Sequence, residues 1–348
     1  MKGHQFLKAL ALSLLRLSLL ALPGLLSVSV TVAGASRALA QGGAVTVVNA
    51  ASYTFDAIAS DSIAAAYGAF NTTGGQNFFA QSFPLPTTLG GVRVRVGGID
   101  CGLIAVVPSA GQINFLMPSL GADGSTPVVV TNADGSTRSG AINAQRVAPG
   151  VFTSRGSGVG ALAGLTTTDG ANFQLTFNPD GSEREVSAGT RQRPNYLIFF
   201  ATGLRNAPAA NPNDANGMAE AVTATIQGVP ATVLYAGRGG FAGQDQINLV
   251  IPPELAGLGT VRIRLSVAGR ASNVTTIRIG GQPPPIMAQT IEANSPVNGA
   301  LAADDQIQVA GDGSGRTYFC DAYRLRTTAA NTTVAIDLRS VQFDAVVM

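Results

Sequence analysis

Arginines and carboxylates carry all the charge beyond the first forty residues. From Gln41 onward the chain has no lysine and no histidine, and 18 arginines face 20 carboxylates. A histidine base and a lysine Schiff base are therefore excluded from this part of the chain. So is the basic footprint of a nucleic-acid-binding protein. Carboxylate catalysis, oxygen ligation of a metal and binding without chemistry remain.

The carboxylates give no sign of a catalytic pair. A glycosidase holds two of them about 5–10 Å apart in a cleft. Glu183 and Glu185 alternate with Arg184, which is typical of a solvated strand or turn, and neither Asp-Thr-Gly nor Asp-Ser-Gly occurs. The sequence therefore predicts no catalytic residue and no enzyme.

A group of aspartates near the C-terminus is the candidate for calcium. Hard cations bind carboxylate and carbonyl oxygens in loops. The alternative interpretation is that the Asp-Gly pairs here are ordinary turns. No other cofactor is expected, because two cysteines without histidine cannot fill a zinc site. The calcium candidates are Asp304, Asp305, Asp312 and Asp321.

A phenylalanine-rich segment, NTTGGQNFFAQSF, is the candidate contact surface for a sugar or a protein partner. Its alternative role is to cap the core of a β-sandwich. The phenylalanines concerned are Phe70, Phe78, Phe79 and Phe83.

Two pairs of amides occupy matching places in the chain. Gln112 and Asn114 lie in GQINFLMP, and Gln246 and Asn248 lie in DQINLVIP. They are either a ligand-facing pair or a structural motif in which the amides satisfy backbone groups beside a buried strand. Their presence in both copies favours the structural interpretation.

Cys101 and Cys320 are the two cysteines. An even number of thiols outside the cytoplasm permits a disulfide. The two belong to different predicted domains, and such separations rarely bring two Cα atoms within about 7 Å. Buried or free thiols are the favoured interpretation.

The first forty residues resemble an export signal. Residues 1–8 are short and basic, a long apolar stretch follows, and the segment closes on Ala38-Leu39-Ala40. This pattern predicts a signal peptide over residues 1–40, cleaved near Ala40, and a secreted or cell-surface protein. An uncleaved anchor is the alternative, but Pro23-Gly24 interrupts the apolar stretch. No membrane span is expected after cleavage.

An internal repeat sets the architecture. VRVRVGGI, GQINFLMP and VVVTNADGSTRSG are followed about 130 residues later by VTATIQGV, DQINLVIP and VRIRLSVAGRASN. Strict alternation of apolar residues with arginine, as in VRVRV and VRIRL, predicts strands with one solvated face. Five Asp-Gly pairs predict tight turns. We therefore expect tandem immunoglobulin-like β-sandwiches at residues 45–146 and 147–281.

The C-terminal part is predicted to be a separate, incomplete β-sandwich. GGQPPPIMAQ contains three consecutive prolines, which cannot continue a sheet, so residues 282–296 are predicted to be a linker. Residues 297–348 then give three or four alternating strands. So few strands cannot bury the faces of a sandwich, so we expect a fragment or a domain completed by a partner.

Ordered motifs carry a family resemblance. VVNAASY, LPTTLGGVRVRVGG, GQINFLMP, VAPGVFT, FFATGL and VLYAGRGGFAGQDQINLVIP occur in sequence. The repeat pair resembles the Solibacter-type uncharacterised C-terminal domain family of secreted acidobacterial proteins, although Cys101 departs from its pattern. NGALAADDQ, DAYRLR and VAIDLRS resemble the start of a bacterial pre-peptidase C-terminal domain. These resemblances imply extracellular sandwiches with no assigned activity.

The functional hypothesis is a non-catalytic extracellular protein that binds a glycan or a protein, for adhesion or display. The alternative is an accessory module of a secreted peptidase or glycoside hydrolase whose catalytic domain is encoded elsewhere. The sequence names no ligand and predicts no oligomeric state.

Overall fold

The computed structural model of the chain describes residues 43–208 and 215–282, together with the backbone of four short strands between residues 288 and 326. Two compact units divide the chain, residues 1–284 and residues 285–348. In the described ranges the regular elements are β-strands and short 3-10 turns, and no α-helix occurs. The turns are Thr73–Gly75, Pro108–Ala110, Ala219–Ala221 and Pro253–Leu255.

The first repeat forms two sheets. Its strands are β1 (Gly43–Ala44), β2 (Thr46–Asn49), β3 (Ile58–Ala59), β4 (Ile63–Tyr67), β5 (Phe78–Phe79), β6 (Arg93–Val96), β7 (Ile99–Asp100), β8 (Gly102–Val107), β9 (Gln112–Leu116), β10 (Gly124–Thr131) and β11 (Thr137–Gln145). The sheet that we name outer sheet 1 has the order β1-β11-β10-β6-β7, with β3 beside β11. Inner sheet 1 has the order β2-β4-β9-β8-β5. Between them lies the first core, to which Val94, Val130, Ile113 and Phe115 contribute.

The second repeat forms a matching pair of sheets. Its strands are β12 (Gly150–Val151), β13 (Gly164–Thr167), β14 (Gln174–Leu175), β15 (Glu185–Ser187), β16 (Tyr196–Thr202), β17 (Val222–Ile226), β18 (Val229–Ala231), β19 (Val233–Arg238), β20 (Gln244–Val250), β21 (Gly259–Val267), β22 (Arg270–Ala271) and β23 (Thr275–Gly280). Inner sheet 2 has the order β14-β13-β16-β20-β19, with β12 beside β16. Outer sheet 2 has the order β15-β23-β21-β17-β18, with β22 beside β21.

Strand order is the same in both repeats. The neighbours β4-β9-β8 of inner sheet 1 correspond to β16-β20-β19 of inner sheet 2. The neighbours β11-β10-β6-β7 correspond to β23-β21-β17-β18, and β1 and β15 are parallel edge strands at matching positions. The prediction of an all-β chain built from tandem sandwiches is confirmed.

Buried and exposed side chains alternate along the outer strands, as the sequence predicts. In β21 the side chains of Val261 and Ile263 are buried, whereas those of Arg262 and Arg264 are exposed. Successive side chains of a strand point to opposite faces, so one face of this strand packs on the core and the other meets water.

Three of the five predicted Asp-Gly turns, at Asp134, Asp169 and Asp180, lie in turns or bends, whereas Gly124 begins β10 and Asp312 lies outside the described residues. The Asp134 carboxylate accepts a hydrogen bond from the backbone N–H of Ser136 at 2.8 Å, and Gly135 has φ of 81°. A residue with a Cβ atom is strained at that angle, so glycine is needed at this turn. Hydrogen bonds from the side chain and the backbone of Ser136 lower the pKa of Asp134.

The two inner sheets pack against each other. In β4, Ala64 and Ala66 face the first core, whereas Ile63 and Ala65 belong to a second cluster together with Phe200 of β16. This cluster, which we name the shared interface, contains buried apolar residues from both repeats. They are Val48, Ala50, Ala51, Ile63, Ala65, Ile104, Phe152, Ala161, Ala163, Phe177 and Phe200. The two sandwiches therefore belong to one compact unit.

Polar contacts lock the shared interface. The buried Thr202 hydroxyl accepts a hydrogen bond from the backbone N–H of Ile63 at 2.8 Å and donates one to the carbonyl of Gly243 at 2.6 Å. The Asn49 amide donates to the carbonyl of Ala148 at 3.0 Å. Each bond satisfies a buried backbone group across or beside the junction.

The C-terminal unit is described as four strands. They are β24 (Ala288–Glu292), β25 (Gln306–Val309), β26 (Thr317–Cys320) and β27 (Ala322–Arg326). β24 pairs with β27 in parallel, and β25 pairs with β26 antiparallel. β24 lies within the predicted linker. Its five residues contain no proline and follow the three prolines of that segment, so they keep the N–H groups that a sheet needs.

The predicted signal peptide, residues 1–40, lies outside the described residues. In the part of the chain that the structure describes, no helix has the length and apolar character needed to cross a membrane.

Candidate functional site

The phenylalanine-rich segment runs along the surface of the first sandwich. Phe79 is 40% exposed and Phe83 is 59% exposed. Phe78 is half-buried, and Phe70 is 7% exposed and belongs to the first core. The structure therefore divides the four predicted contact residues: Phe70 has the core role that the alternative interpretation gave it, and Phe79 and Phe83 face the solvent.

Residues 73–84, which we name the aromatic segment, are held by the edge of inner sheet 1. β5 pairs with β8, and the N–H of Ala80 donates to the carbonyl of Ile104 at 2.9 Å. At its start, the Thr72 hydroxyl donates to the carbonyl of Gln76 at 2.6 Å. The backbone of the segment is thus fixed at both ends of β5, which positions its side chains on a rigid scaffold.

Phe83 also contacts the second repeat. Its ring lies 5.1 Å from the ring of Phe241, at an interplanar angle of 84°. This edge-to-face geometry is favourable for two aromatic rings. Phe241 packs on the shared interface, so the exposed ring of Phe83 is supported by both sandwiches.

Amide side chains flank the exposed rings. Gln76, Asn77 and Gln81 are all exposed. The Gln81 amide donates to the carbonyl of Phe79 at 3.0 Å, and Asn77 accepts a hydrogen bond from the Ser109 hydroxyl at 3.3 Å. Both amides keep a free donor or acceptor for a ligand. The segment therefore combines apolar ring faces with neutral polar groups.

The repeated amide pairs bond within themselves. Gln112 donates to Asn114 at 2.8 Å, and Gln246 donates to Asn248 at 2.9 Å. Because Ile113 lies in the first core, Gln112 and Asn114 are on the opposite face of β9, toward the shared interface. Both residues of the first pair are buried and both of the second are half-buried. The bond runs from amide to amide along one strand face, whereas the sequence interpretation expected bonds to backbone groups.

A buried ion pair was not anticipated from the sequence. Asp245 in β20 is fully buried, and its carboxylate lies 2.9 Å from the guanidinium of Arg205. It also accepts the N–H of Leu204 at 3.0 Å. Burial raises the pKa of Asp245 to about 6, and the Arg205 charge opposes the shift. The available signal was a difference between the repeats, because Asp245 replaces Gly111 in otherwise matching motifs.

A shallow groove of about 730 Å³ opens where the two sandwiches meet. In it, the Asp61 carboxylate accepts hydrogen bonds from Ser119 at 2.6 Å and from Asn206 at 3.3 Å. Asp123 and Arg146 also line it. Both oxygens of Asp61 are thus engaged by side chains from the two repeats, which makes this residue part of the junction.

Cys101 is free and buried in the first core. Burial raises the pKa of its thiol to about 12, so the reactive thiolate is suppressed at neutral pH. The side chain of Cys320 lies outside the described residues.

All four calcium candidates also fall outside the described residues, so calcium binding stays a prediction. Within the described ranges, no three Asp, Glu, His or Cys side chains gather in a way that could hold a metal ion.

Comparisons with known proteins identify no family. The chain matches no protein-family model and no curated protein. Among solved structures it is similar to the Bacteroides ovatus mixed-linkage glucan utilization locus protein SGBP-B in complex with a mixed-linkage heptasaccharide, at 10% identity and a TM-score of 0.26. The match covers 65% of this chain and 44% of that one.

Two further structures are similar at low sequence identity. Domains 5–6 of the S-layer protein SbsC match at 11% identity, with 69% of this chain and 96% of that chain covered and a TM-score of 0.21. A glycosyl hydrolase family 2 member from Bacteroides cellulosilyticus matches at 13% identity, with 62% and 22% covered and a TM-score of 0.16.

Proposed function

We propose that the protein is a non-catalytic extracellular binding protein and that it holds a glycan against the aromatic segment. The observation that carries the proposal is the exposure of Phe79 and Phe83 on a backbone fixed by the edge of inner sheet 1. Single exposed apolar side chains are common, but a group of them in one patch marks a contact site. Two of them within five residues, on a rigid edge, favour a role in binding.

A glycan fits the chemistry of this segment. Sugar rings present apolar C–H faces and a rim of hydroxyl groups. Aromatic side chains can pack on those faces, and a few well-placed polar groups fix the orientation of the ligand. Gln76, Asn77 and Gln81 offer exposed neutral donors and acceptors in the same segment.

Four of the described carboxylates are engaged in structural contacts, which supports a non-catalytic role for them. Asp134, Asp169 and Asp180 accept hydrogen bonds from backbone or side-chain groups of their own turns. Asp245 is buried and paired with Arg205. An acid/base pair for glycoside hydrolysis needs two carboxylates facing each other across a cleft. None of these four is available for that task.

Export is part of the proposal. Residues 1–40 have the charge, apolar run and small-residue cleavage site of a signal peptide, and the resemblance to a family of secreted sandwich pairs supports the same location. N-terminal sequencing of the protein purified from the medium or from the cell surface should begin near Gln41. Recovery from the cytoplasm with Met1 intact would contradict export.

The glycan proposal is tested with the full chain on a polysaccharide array, followed by titration against the best neutral polysaccharide. Phe79→Ala combined with Phe83→Ala should lower the affinity at least about tenfold, as loss of central aromatic contacts does. Phe55→Ala is the matched control, because Phe55 is 75% exposed but lies outside the aromatic segment. It should bind like the unaltered protein.

Two outcomes would reject this proposal. One is the absence of binding to every polysaccharide on the array. The other is an equal affinity of the double variant and the unaltered protein, with urea unfolding showing that both are folded.

A further inference from the structure

The solvent face of outer sheet 2 carries a row of arginines. On β21 the exposed side chains are Thr260, Arg262 and Arg264. Residues two apart on a strand point to the same side and are about 7 Å apart. The two guanidinium groups therefore rise from the same side of one strand.

Hydroxyl groups lie beside both arginines. Arg264 is paired across the sheet with Thr225 of β17, and Arg262 is paired with Thr276 of β23. Directly paired residues of antiparallel strands have their side chains close together. The Arg262 backbone N–H donates to the Gln227 side chain at 3.1 Å, and the Arg262 carbonyl accepts the Gln227 N–H at 2.7 Å, so both backbone groups already have partners.

Charge on this face is only partly compensated. Arg278 pairs with Glu185 at 3.3 Å, and Glu183 accepts the Thr276 hydroxyl at 2.6 Å. Among the described residues, no carboxylate oxygen lies within 4.0 Å of Arg262 or Arg264.

Outer sheet 1 provides the contrast. Its exposed Arg93 and Arg95 both lie 3.3 Å from Asp100 on the neighbouring strand β7. The free arginines of outer sheet 2 lie instead on β21, which corresponds to β10, and the strands beside it are β23 and β17. The arginines of β6 are therefore neutralised by a carboxylate on the next strand, whereas those of β21 have no such partner among the described residues.

We propose that this face of outer sheet 2 binds a linear acidic polysaccharide along β21. A guanidinium group binds a carboxylate through two parallel hydrogen bonds, which makes arginine suited to uronic-acid groups. The neighbouring threonine hydroxyls can bond to sugar hydroxyls. A nucleic acid fits less well, because its affinity comes from many neutralised phosphates and this face offers two free cations. This site is separate from the aromatic segment.

The test is affinity electrophoresis of the full chain through gels containing polygalacturonate, with dextran gels as the neutral reference. Polygalacturonate should retard the unaltered protein, and Arg262→Ala combined with Arg264→Ala should weaken binding at least about tenfold. Arg93→Ala combined with Arg95→Ala is the matched control, because it removes the same charge from a strand of outer sheet 1. Its retardation should equal that of the unaltered protein.

The proposal is overturned by any of three results: no retardation of the unaltered protein by polygalacturonate, equal loss in both double variants, or equally tight binding of a DNA duplex. If this proposal fails, the proposal for the aromatic segment is unaffected, because the Phe79 and Phe83 variant is tested on neutral polysaccharides.

Discussion

Asp245 and Arg205 form a buried charge pair in the second sandwich. The carboxylate is fully buried and the Arg205 side chain is 10% exposed. Arg205 also donates to the carbonyl of Gln244 at 2.7 Å, so the guanidinium bonds to both side-chain and backbone oxygens. Taking two charges out of water is costly, and their attraction repays that cost only with good geometry. The raised pKa of Asp245 shows that desolvation outweighs the pairing.

This pair predicts a pH dependence of stability. The pKa of Asp245 is about 6 when folded and about 3.9 when unfolded. The folded state thus binds more protons between these pH values. The stabilisation that the protonated Asp245 gives to the folded state is therefore fully present below about pH 4 and is lost as pH rises through 6. Relative to Asp245→Asn, the unfolding free energy of the unaltered protein should fall by about 3 kcal/mol over this range. Urea unfolding at several pH values measures it, and parallel profiles would contradict it.

At the scale of the strand, β4 and β16 are buried on both faces. β4 is IAAAY and β16 is YLIFFAT. Neither alternates between apolar and polar residues, because one face packs on its own core and the other on the shared interface. Thr202 ends β16 and is the polar link to Ile63 at the start of β4.

Removing the Thr202 hydroxyl should loosen this junction. Thr202→Val keeps the shape but leaves the N–H of Ile63 and the carbonyl of Gly243 without their partner, which costs about 2 kcal/mol of unfolding free energy. Thr202→Ser keeps the hydroxyl and should cost less. Urea unfolding of the two variants decides the matter. Equal stability of the valine variant and the unaltered protein would show that water replaces the hydroxyl.

At the scale of the whole described unit, two sandwiches share one interior boundary. The shared interface contains Phe200 and Phe177 from the second repeat and Ile63 and Ile104 from the first. Separation would return this apolar area to water at roughly 25 cal/mol per Å². We therefore expect the two sandwiches to unfold together.

Cooperativity between the sandwiches is testable with a change in one core. Phe199 is fully buried in β16, and Phe199→Ala should destabilise by about 3–5 kcal/mol. Hydrogen exchange should then show faster exchange of amides in β10 of the first sandwich as well as in β21. Phe55→Ala, at an exposed position, should change neither. Unchanged protection in β10 would mean that the first sandwich holds its fold alone.

Much of the fold could be predicted because the outer strands alternate between apolar and polar residues. Arg-Val and Arg-Ile alternation identifies β6 and β21 as strands with one solvated face, and the matching motifs GQINFLMP and DQINLVIP predict two copies. The shared interface was missed, although the unbroken apolar runs of β4 and β16 were a signal for strands buried on both sides. Which surface covers a strand depends on distant residues such as Phe152, which a local pattern does not reveal.

The candidate sites show the same limit. The aromatic segment is visible as a cluster of phenylalanines, but the assignment of Phe70 to the core and Phe83 to the surface depends on which way each side chain turns. The arginines of β21 were recognised as strand markers. Their lack of carboxylate partners depends on the strands beside β21, which are β23 and β17 and place Thr276 and Thr225 opposite them, and these neighbours are known only from the sheet order.

The packing of the inner sheets bears on how such a chain can evolve. Each copy has an apolar face that is covered by the other copy. A recombination event that moved one copy alone into another gene would expose that apolar face. The resulting protein would be prone to aggregation and degradation. Selection would therefore keep the two copies together as one unit. Such a unit can gain or lose neighbouring domains at its ends but cannot be divided between the two copies.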